Sequence, residues 1–163
     1  MTAQTNTAAT QPPMRPDAPR AEILAAVETL FSGSNAIQLA TLGGPHTPWI
    51  LGAYFASTVD DQVTISVMVE KHGKSMQNLV ADQRVAFTVN SGDAMQNFAQ
   101  GSGVATVHSG VEAPEMMALL TAKMPWYQLY TPCAPVTIAV DKLFLTSFSR
   151  GWMPAQKLSW SSR

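Results

Sequence analysis

The amino-acid sequence predicts a mainly β protein in which six antiparallel strands close, or nearly close, into a barrel flanked by short helices. Three observations point there. Six segments of the chain read as strands, several of them alternating with a period of two. Gly- and Pro-rich stretches separate the alternating runs. Hydrophobic residues make up 46% of the chain and charged residues only 13%, and closure removes the edges that so apolar a sheet would otherwise expose.

A chain of 163 residues suits one domain, expected over residues 20–163. Residues 1–19 are rich in Thr, Gln, Ala and Pro and are expected to be a disordered leader. Asp17 and Pro19 then supply start signals for a helix, and Ile23, Val27, Leu30 and Phe31 share its apolar face until Gly33 stops it. From Ala36 the period becomes two, and Gly43-Gly44-Pro45 ends this first strand. A second strand is expected over Pro48–Ser57. The turn at Asp60-Asp61 leads to a third, in which Val63, Ile65, Val67 and Val69 point one way.

A polar loop, Glu70 to Ser75, enters a short helix with Met76, Leu79 and Val80 on one face, followed by the strand Arg84–Asn90. Ser91–Gln96 is expected to be a loop. Phe98–Ser109 is expected to be a strand loosened at Gly101 and Gly103, where a bulge or a close approach fits. Pro114-Glu115 opens a helix with Met116, Met117, Leu119 and Leu120 on a broad apolar face, and Met124-Pro125 ends it. The aromatic loop Trp126–Pro135 precedes the last long strand, Val136–Ser149, whose alternation changes phase at Asp141.

Ten Lys and Arg residues nearly balance eleven Asp and Glu, for a net charge of -1. No long-range field would draw the chain onto a nucleic acid or an anionic membrane. No run approaches the ~18 apolar residues that span a bilayer. Cys133 is the single cysteine, which excludes an internal disulfide and a multi-cysteine zinc site. His46, His72 and His108 lie in separate segments without metal-ligand spacing, so no metal is assigned. A soluble, cytoplasmic protein is the expectation.

Polar groups are therefore scarce, yet Lys71-His72-Gly73-Lys74-Ser75 gathers two ammonium groups, an imidazole and a hydroxyl at the start of a helix. Helix dipole and unpaired N–H groups favour an anion such as phosphate there; a solvated turn at the barrel mouth explains the same residues. The P-loop pattern is not met, because its first glycine would fall on Met68.

The element order, the helix Lys74-Ser75-Met76-Gln77-Asn78-Leu79, the segment Asp82-Gln83-Arg84-Val85 and the later Gly103-x-Ala105 strand together resemble the pyridoxamine 5′-phosphate oxidase-like family of FMN-binding split barrels. The similarity covers about Ala21 to Ser149. Two positions depart from the family pattern: Ser75 stands where a Lys is frequent, with Lys74 one place earlier, and Gln83 replaces a Pro. The resemblance implies a split β-barrel homodimer with FMN at the subunit interface. Carried over by position, it implies a cofactor site of Lys71, His72, Lys74 and Ser75 around the phosphate, Ser66 and Val67 on the strand passing the flavin, and Trp49, Ile50 and Leu51 along the isoalloxazine.

Function then follows as an expectation: an FMN-dependent oxidoreductase acting on a small-molecule substrate, with NADH or NADPH as candidate donors and no catalytic side chain assigned. Vitamin B6 oxidation is not assigned, because the C-terminal segment from Ser149 to Arg163 is poor in the basic groups that bind a substrate phosphate. The alternatives are a split barrel holding the deazaflavin F420 or haem, with His72 or His108 as axial ligand, and a non-catalytic flavin-binding dimeric module. Trp152 and Trp160 either cover a partner's flavin or anchor the tail on the barrel.

Overall fold

The computed structural model describes residues 13–44, 47–92 and 97–160. The leader before Pro13, the turn residues Pro45 and His46, and most of the loop Ser91–Gln96 lie outside the described residues.

The period-two segments form the expected strands in order: β1 (Ala36–Gly43), β2 (Thr47–Val59), β3 (Val63–Glu70), β4 (Arg84–Asn90), β5 (Asn97–Val107) and β6 (Cys133–Ser147). Three helices accompany them, α1 (Arg20–Gly33), α2 (Lys74–Ala81) and α3 (Ala113–Lys123). The sheet runs β3-β2-β1-β4-β5-β6, all antiparallel, and β3 pairs with β6 to close a six-stranded barrel. Alternation fills its interior with Ile37, Leu39, Phe55, Ile65, Val67, Phe87, Ile138 and Leu145, all buried. Helix α1 lays Ile23, Val27, Leu30 and Phe31 against this core. The Phe31 ring meets Phe55 and Phe87 edge-on, with centroids 5.6 and 6.5 Å away.

Four local expectations change. The C-terminal segment forms a seventh strand, β7 (Trp152–Ser159), paired with β6. Its residues Trp152, Gln156 and Leu158 are buried on the barrel. Val80 is 74% exposed, and the buried face of α2 consists of Ser75, Met76, Asn78 and Leu79. In α3 only Met116 and Leu120 are buried, while Leu119 faces outward at 43% exposure. Residues 13–19, expected in the leader, are tied to β7. The Gln156 amide donates to the carbonyls of Arg15 and Pro16, and its Oε1 accepts from the Ala18 N–H at 3.0 Å.

Trp160 donates its indole N–H to the Asp61 carbonyl and lies under the Arg20 guanidinium, 5.1 Å from it. With Trp152 fully buried, both tail tryptophans anchor the C-terminal strand on the barrel.

The phase change in β6 is a bulge. Ser102 pairs with Lys142 and Gly103 with Val140, which leaves Asp141 as the extra residue. Its carboxylate accepts from the Ser102 hydroxyl at 2.5 Å and its carbonyl from the Trp160 N–H at 2.9 Å. The two glycines permit this close approach. A Cβ on Gly103 would stand 2.5 Å from the Ala139 carbonyl oxygen, and one on Gly101 2.5 Å from that of Lys142.

Helix α3 is tied to the barrel by Lys123. Its Nζ donates to the carbonyls of Phe31 (2.8 Å), Ser34 (2.6 Å) and Phe55 (3.0 Å) and sits 3.8 Å above the Phe55 ring. Burial pushes this ammonium from its ordinary value of 10.5 to about 8. No helix among the described residues is long and apolar enough to cross a membrane.

Two outcomes follow for urea melts of the full chain. Gly103→Ala forces backbone apart at the bulge and is expected to lower stability by about 1–3 kcal/mol. Lys123→Met leaves three carbonyls without their donor and is expected to cost about 2–4 kcal/mol at neutral pH. Because the folded value lies below the unfolded one, the unfolded chain binds more protons at this group between pH 8 and 10.5. The group's contribution to stability therefore rises with pH across that window, and Lys123→Met should lack the rise.

Candidate functional site

The barrel opens between β2 and β3. Strand β2 pairs with β1 over its first half, Thr47 to Tyr54, and with β3 over its second, Phe55 to Val59. Beyond the Phe55–Val67 pair the two strands share no ladder, while β3 continues along β6 to the Glu70–Cys133 pair. The cleft between them has a volume of about 450 Å3, within the range of small-molecule and cofactor sites.

Trp49, Leu51 and Tyr54 line one wall, and Met68 and Glu70 the other. Gly73, Lys74 and Ser75 at the start of α2 close one end; Tyr127 to Thr131 and Cys133 close the side toward β6. The aromatic loop is fixed by Tyr54, whose ring meets those of Trp126 and Tyr127 edge-on at 5.1 and 5.9 Å. Burial, and secondarily Cys133, pushes the Tyr127 phenol up, so it keeps its proton and stays a hydrogen-bond donor at neutral pH.

The end at α2 has the chemistry of an anion site. Gly73 supplies no side-chain cap for the first turn, which leaves its N–H groups to other acceptors. Ser75 is only 7% exposed, and its hydroxyl has no hydrogen-bond partner among the described residues. Ion pairs among the described residues join Arg15 to Glu22 and Arg84 to Asp82. Lys74 is exposed at the cleft without such a partner. The Glu70 carboxylate also lines the cleft and would oppose an anion there.

Of the residues expected to hold a cofactor, the fold brings Trp49, Leu51, Lys74 and Ser75 together in this cleft. The others stand elsewhere. Val67 is fully buried inside the barrel, on the same side of β3 as Val63 and Ile65. Ser66 faces the opposite way into a separate cavity. Ile50 is 67% exposed on the outer face of β2. Lys71 and His72 are exposed and outside the cleft walls, the Lys71 N–H being bonded to the Pro132 carbonyl at 2.9 Å. His108 holds Thr137 Oγ1 at 2.7 Å through Nε2.

Tyr54, Met68, Glu70 and Cys133 were not singled out as site residues by the sequence. Cys133, expected within the loop Trp126–Pro135, begins β6 and lines the cleft. The outward parity of Met68, opposite to Val67 and Val69, was the available signal.

The segment that carried the family resemblance is structural. Asn78 is 2% exposed and donates from Nδ2 to Thr41 Oγ1 at 3.0 Å, pinning α2 to β1. Asp82 accepts from the Arg84 backbone N–H at 3.0 Å and from its guanidinium, which holds its carboxyl down at about 2. Together they set where α2 starts and stops, and so where Ser75 lies.

No protein-family profile matches the sequence, and the curated proteins contain no match. Solved structures do match. A heme binding protein from Mycobacterium smegmatis has a TM-score of 0.62 at 18% identity over 88% of this chain, which spans 59% of that protein. A candidate pyridoxamine 5′-phosphate oxidase from Listeria innocua gives 0.59 at 11% identity, over 74% of this chain and 95% of the other. General Stress Protein 26 from Bacillus anthracis gives 0.63 at 12% identity, over 85% and 99%. At such identities the likeness concerns the fold, which is the split barrel of pyridoxamine 5′-phosphate oxidase-like proteins. Among the described residues, no group of three or more His, Cys, Asp or Glu side chains could hold a metal ion.

Asn78→Ala removes the buried tie between α2 and β1. It is expected to cost about 1–2 kcal/mol in denaturant melts and to raise amide hydrogen exchange in Lys74–Ala81 more than in β4.

Proposed function

We propose that this chain is an FMN-binding flavoprotein, an oxidoreductase acting on a small molecule through the flavin. The observation that carries the reading is Ser75, whose hydroxyl opens into the cleft and makes no hydrogen bond among the described residues, set beside Lys74 and the uncapped first turn of α2 in a cleft of cofactor size. These groups suit a phosphate monoester: Lys74 supplies charge, Ser75 a donor, and the α2 N–H groups the rest of a cradle. Trp49, Leu51, Tyr127 and Tyr130 offer the apolar and aromatic walls that a flat ring system needs.

FMN, when bound, supplies the electron transfer. The chain's own residues bind it, orient it and exclude water, and Tyr127 keeps a phenolic proton available for a hydrogen bond in the cleft. No side chain is assigned as nucleophile or base. A nicotinamide donor is proposed to approach the flavin directly.

A homodimer belongs to the same proposal. Trp49, Tyr54, Trp126 and Tyr130 are 46–85% exposed at or beside the cleft, more aromatic surface than a monomer ordinarily leaves to water. A second copy of the chain is the proposed cover. A free Cys133 suits a reducing compartment, and the cytoplasm is the proposed location.

The Mycobacterium smegmatis protein described as heme binding supports haem as the second reading. Against it stand the cleft walls, which include no histidine among the described residues.

The test is the absorption spectrum of the purified full chain, followed by titration of the apo-protein with FMN and, separately, haem. Flavin bands or micromolar FMN uptake are expected, with a dimeric mass by light scattering. Ser75→Ala and Lys74→Ala should each raise the FMN Kd about tenfold, equivalent to about 1.4 kcal/mol, and Glu70→Gln should lower it. No flavin bands and no uptake at micromolar FMN would overturn the assignment, and a Soret band in their place would transfer the site to haem.

A further inference from the structure

A second cavity, of about 150 Å3, lies on the outer face of the barrel beside the start of α3 and shares no lining residue with the cleft. Four parts of the chain build it. Ser66 and Thr137 are register partners on β3 and β6, so their hydroxyls stand side by side. His108 follows β5, and Glu112 with Glu115 stands at the rim. Met116 and Leu119 of α3 supply the apolar side.

The Thr137 hydroxyl is engaged by His108 Nε2 at 2.7 Å. The Ser66 hydroxyl is not engaged. Ser66 is 7% exposed, lines the cavity, and makes no hydrogen bond among the described residues. Its hydroxyl opens into the cavity, where it is free to bond with an occupant.

The character of that partner follows from the walls. They hold two carboxylates and no lysine or arginine. The Ser109 hydroxyl donates to Glu112 at 2.5 Å and keeps its carboxyl below the ordinary range. With the His108 imidazole already bonded to Thr137, these walls favour a ligand that donates hydrogen bonds and carries positive charge. Among the described residues, His108, Glu112 and Glu115 form no metal-binding group of three, and the apolar side supplied by Met116 and Leu119 points to an organic cation. The volume corresponds to about five water molecules, and Met116 and Leu119 suit a short hydrocarbon stem.

We propose that this cavity binds a small primary alkylammonium ion, whose ammonium group donates to Ser66 and to the Glu112 and Glu115 carboxylates while its stem rests on Met116 and Leu119. The site does not depend on the cofactor reading of the cleft.

The experiment is an amide NMR titration of the full chain with n-butylammonium, and in parallel with n-butanol and butyrate as neutral and anionic probes of the same length. Saturable shifts are expected at Ser66, His108 and Thr137 with butylammonium. Butanol should bind at least about tenfold more weakly and butyrate should give no saturation. Ser66→Ala and Glu115→Gln should each weaken butylammonium about five- to tenfold, the usual range for one hydrogen bond or charge contact. Equal binding of butanol and butylammonium overturns the proposal. So do the absence of saturable shifts up to ~50 mM probe and unchanged affinity in both variants.

Discussion

Everything distinctive in this structure depends on how β2 changes partners at Phe55. A strand has two hydrogen-bonding edges, and here one is used before Phe55 and the other from it onward. The edge of β2 that faces β3 is unpaired from Thr47 to Tyr54, and the barrel splits there. Phe55 is the pivot. Its N–H goes to the Asn35 carbonyl, its own carbonyl takes the Lys123 ammonium, and its ring is wedged between that ammonium and Phe31. A charged donor at this point satisfies carbonyls from α1, from the connection to β1, and from β2, which no apolar side chain could do.

The low charge of the chain acquires a physical meaning in this arrangement. Closure of β3 on β6 turns one set of alternating residues inward, and α3 covers part of the outer face of β3, burying Met68 against Met116, Leu120 and Met124. Strand β3 is thus apolar throughout its inner face, while its outer face carries Thr64, Ser66 and Glu70 beside the single apolar Met68. The buried polar side chains are few and each has a definite position. Asn78 and Thr41 lock α2, Gln156 holds residues 13–19, and Ser147 lies under β7. Ser66 and Ser75 are different, because each lines a cavity with a hydroxyl that makes no hydrogen bond among the described residues, whereas the fully buried side-chain atom left without a partner among them is Trp152 Nε1.

Legibility varied with the kind of inference. The bulge was readable because Gly101, Gly103 and the phase change at Asp141 lie in strands that pair with one another, and each signal is local. Strand β7 was not readable, because Trp152 to Ser159 contains Pro154 and only weak alternation, and it forms by docking Trp152, Gln156 and Leu158 on β6. The site was half legible. Trp49, Leu51, Lys74 and Ser75 were reached by position, and they meet in the cleft. Val67 was also reached by position, although its shared parity with Val63, Ile65 and Val69 directs it into the core. The local period was the better guide at that residue.

The sequence by itself determined which segments become strands, which residues on each strand share a face, where the chain turns, and that a hydroxyl and cations gather at the start of α2. These are properties of neighbours along the chain, governed by backbone geometry and the period of apolar residues. Tertiary structure alone decided that β2 leaves β3 at Phe55, that the loop from Tyr127 to Thr131 folds over the opening, and that Lys123 reaches the pivot. The reason is that pairing partners and covering loops are settled by contacts between residues distant in sequence. A period of two states which way a side chain points from its own strand, and leaves open what it will face.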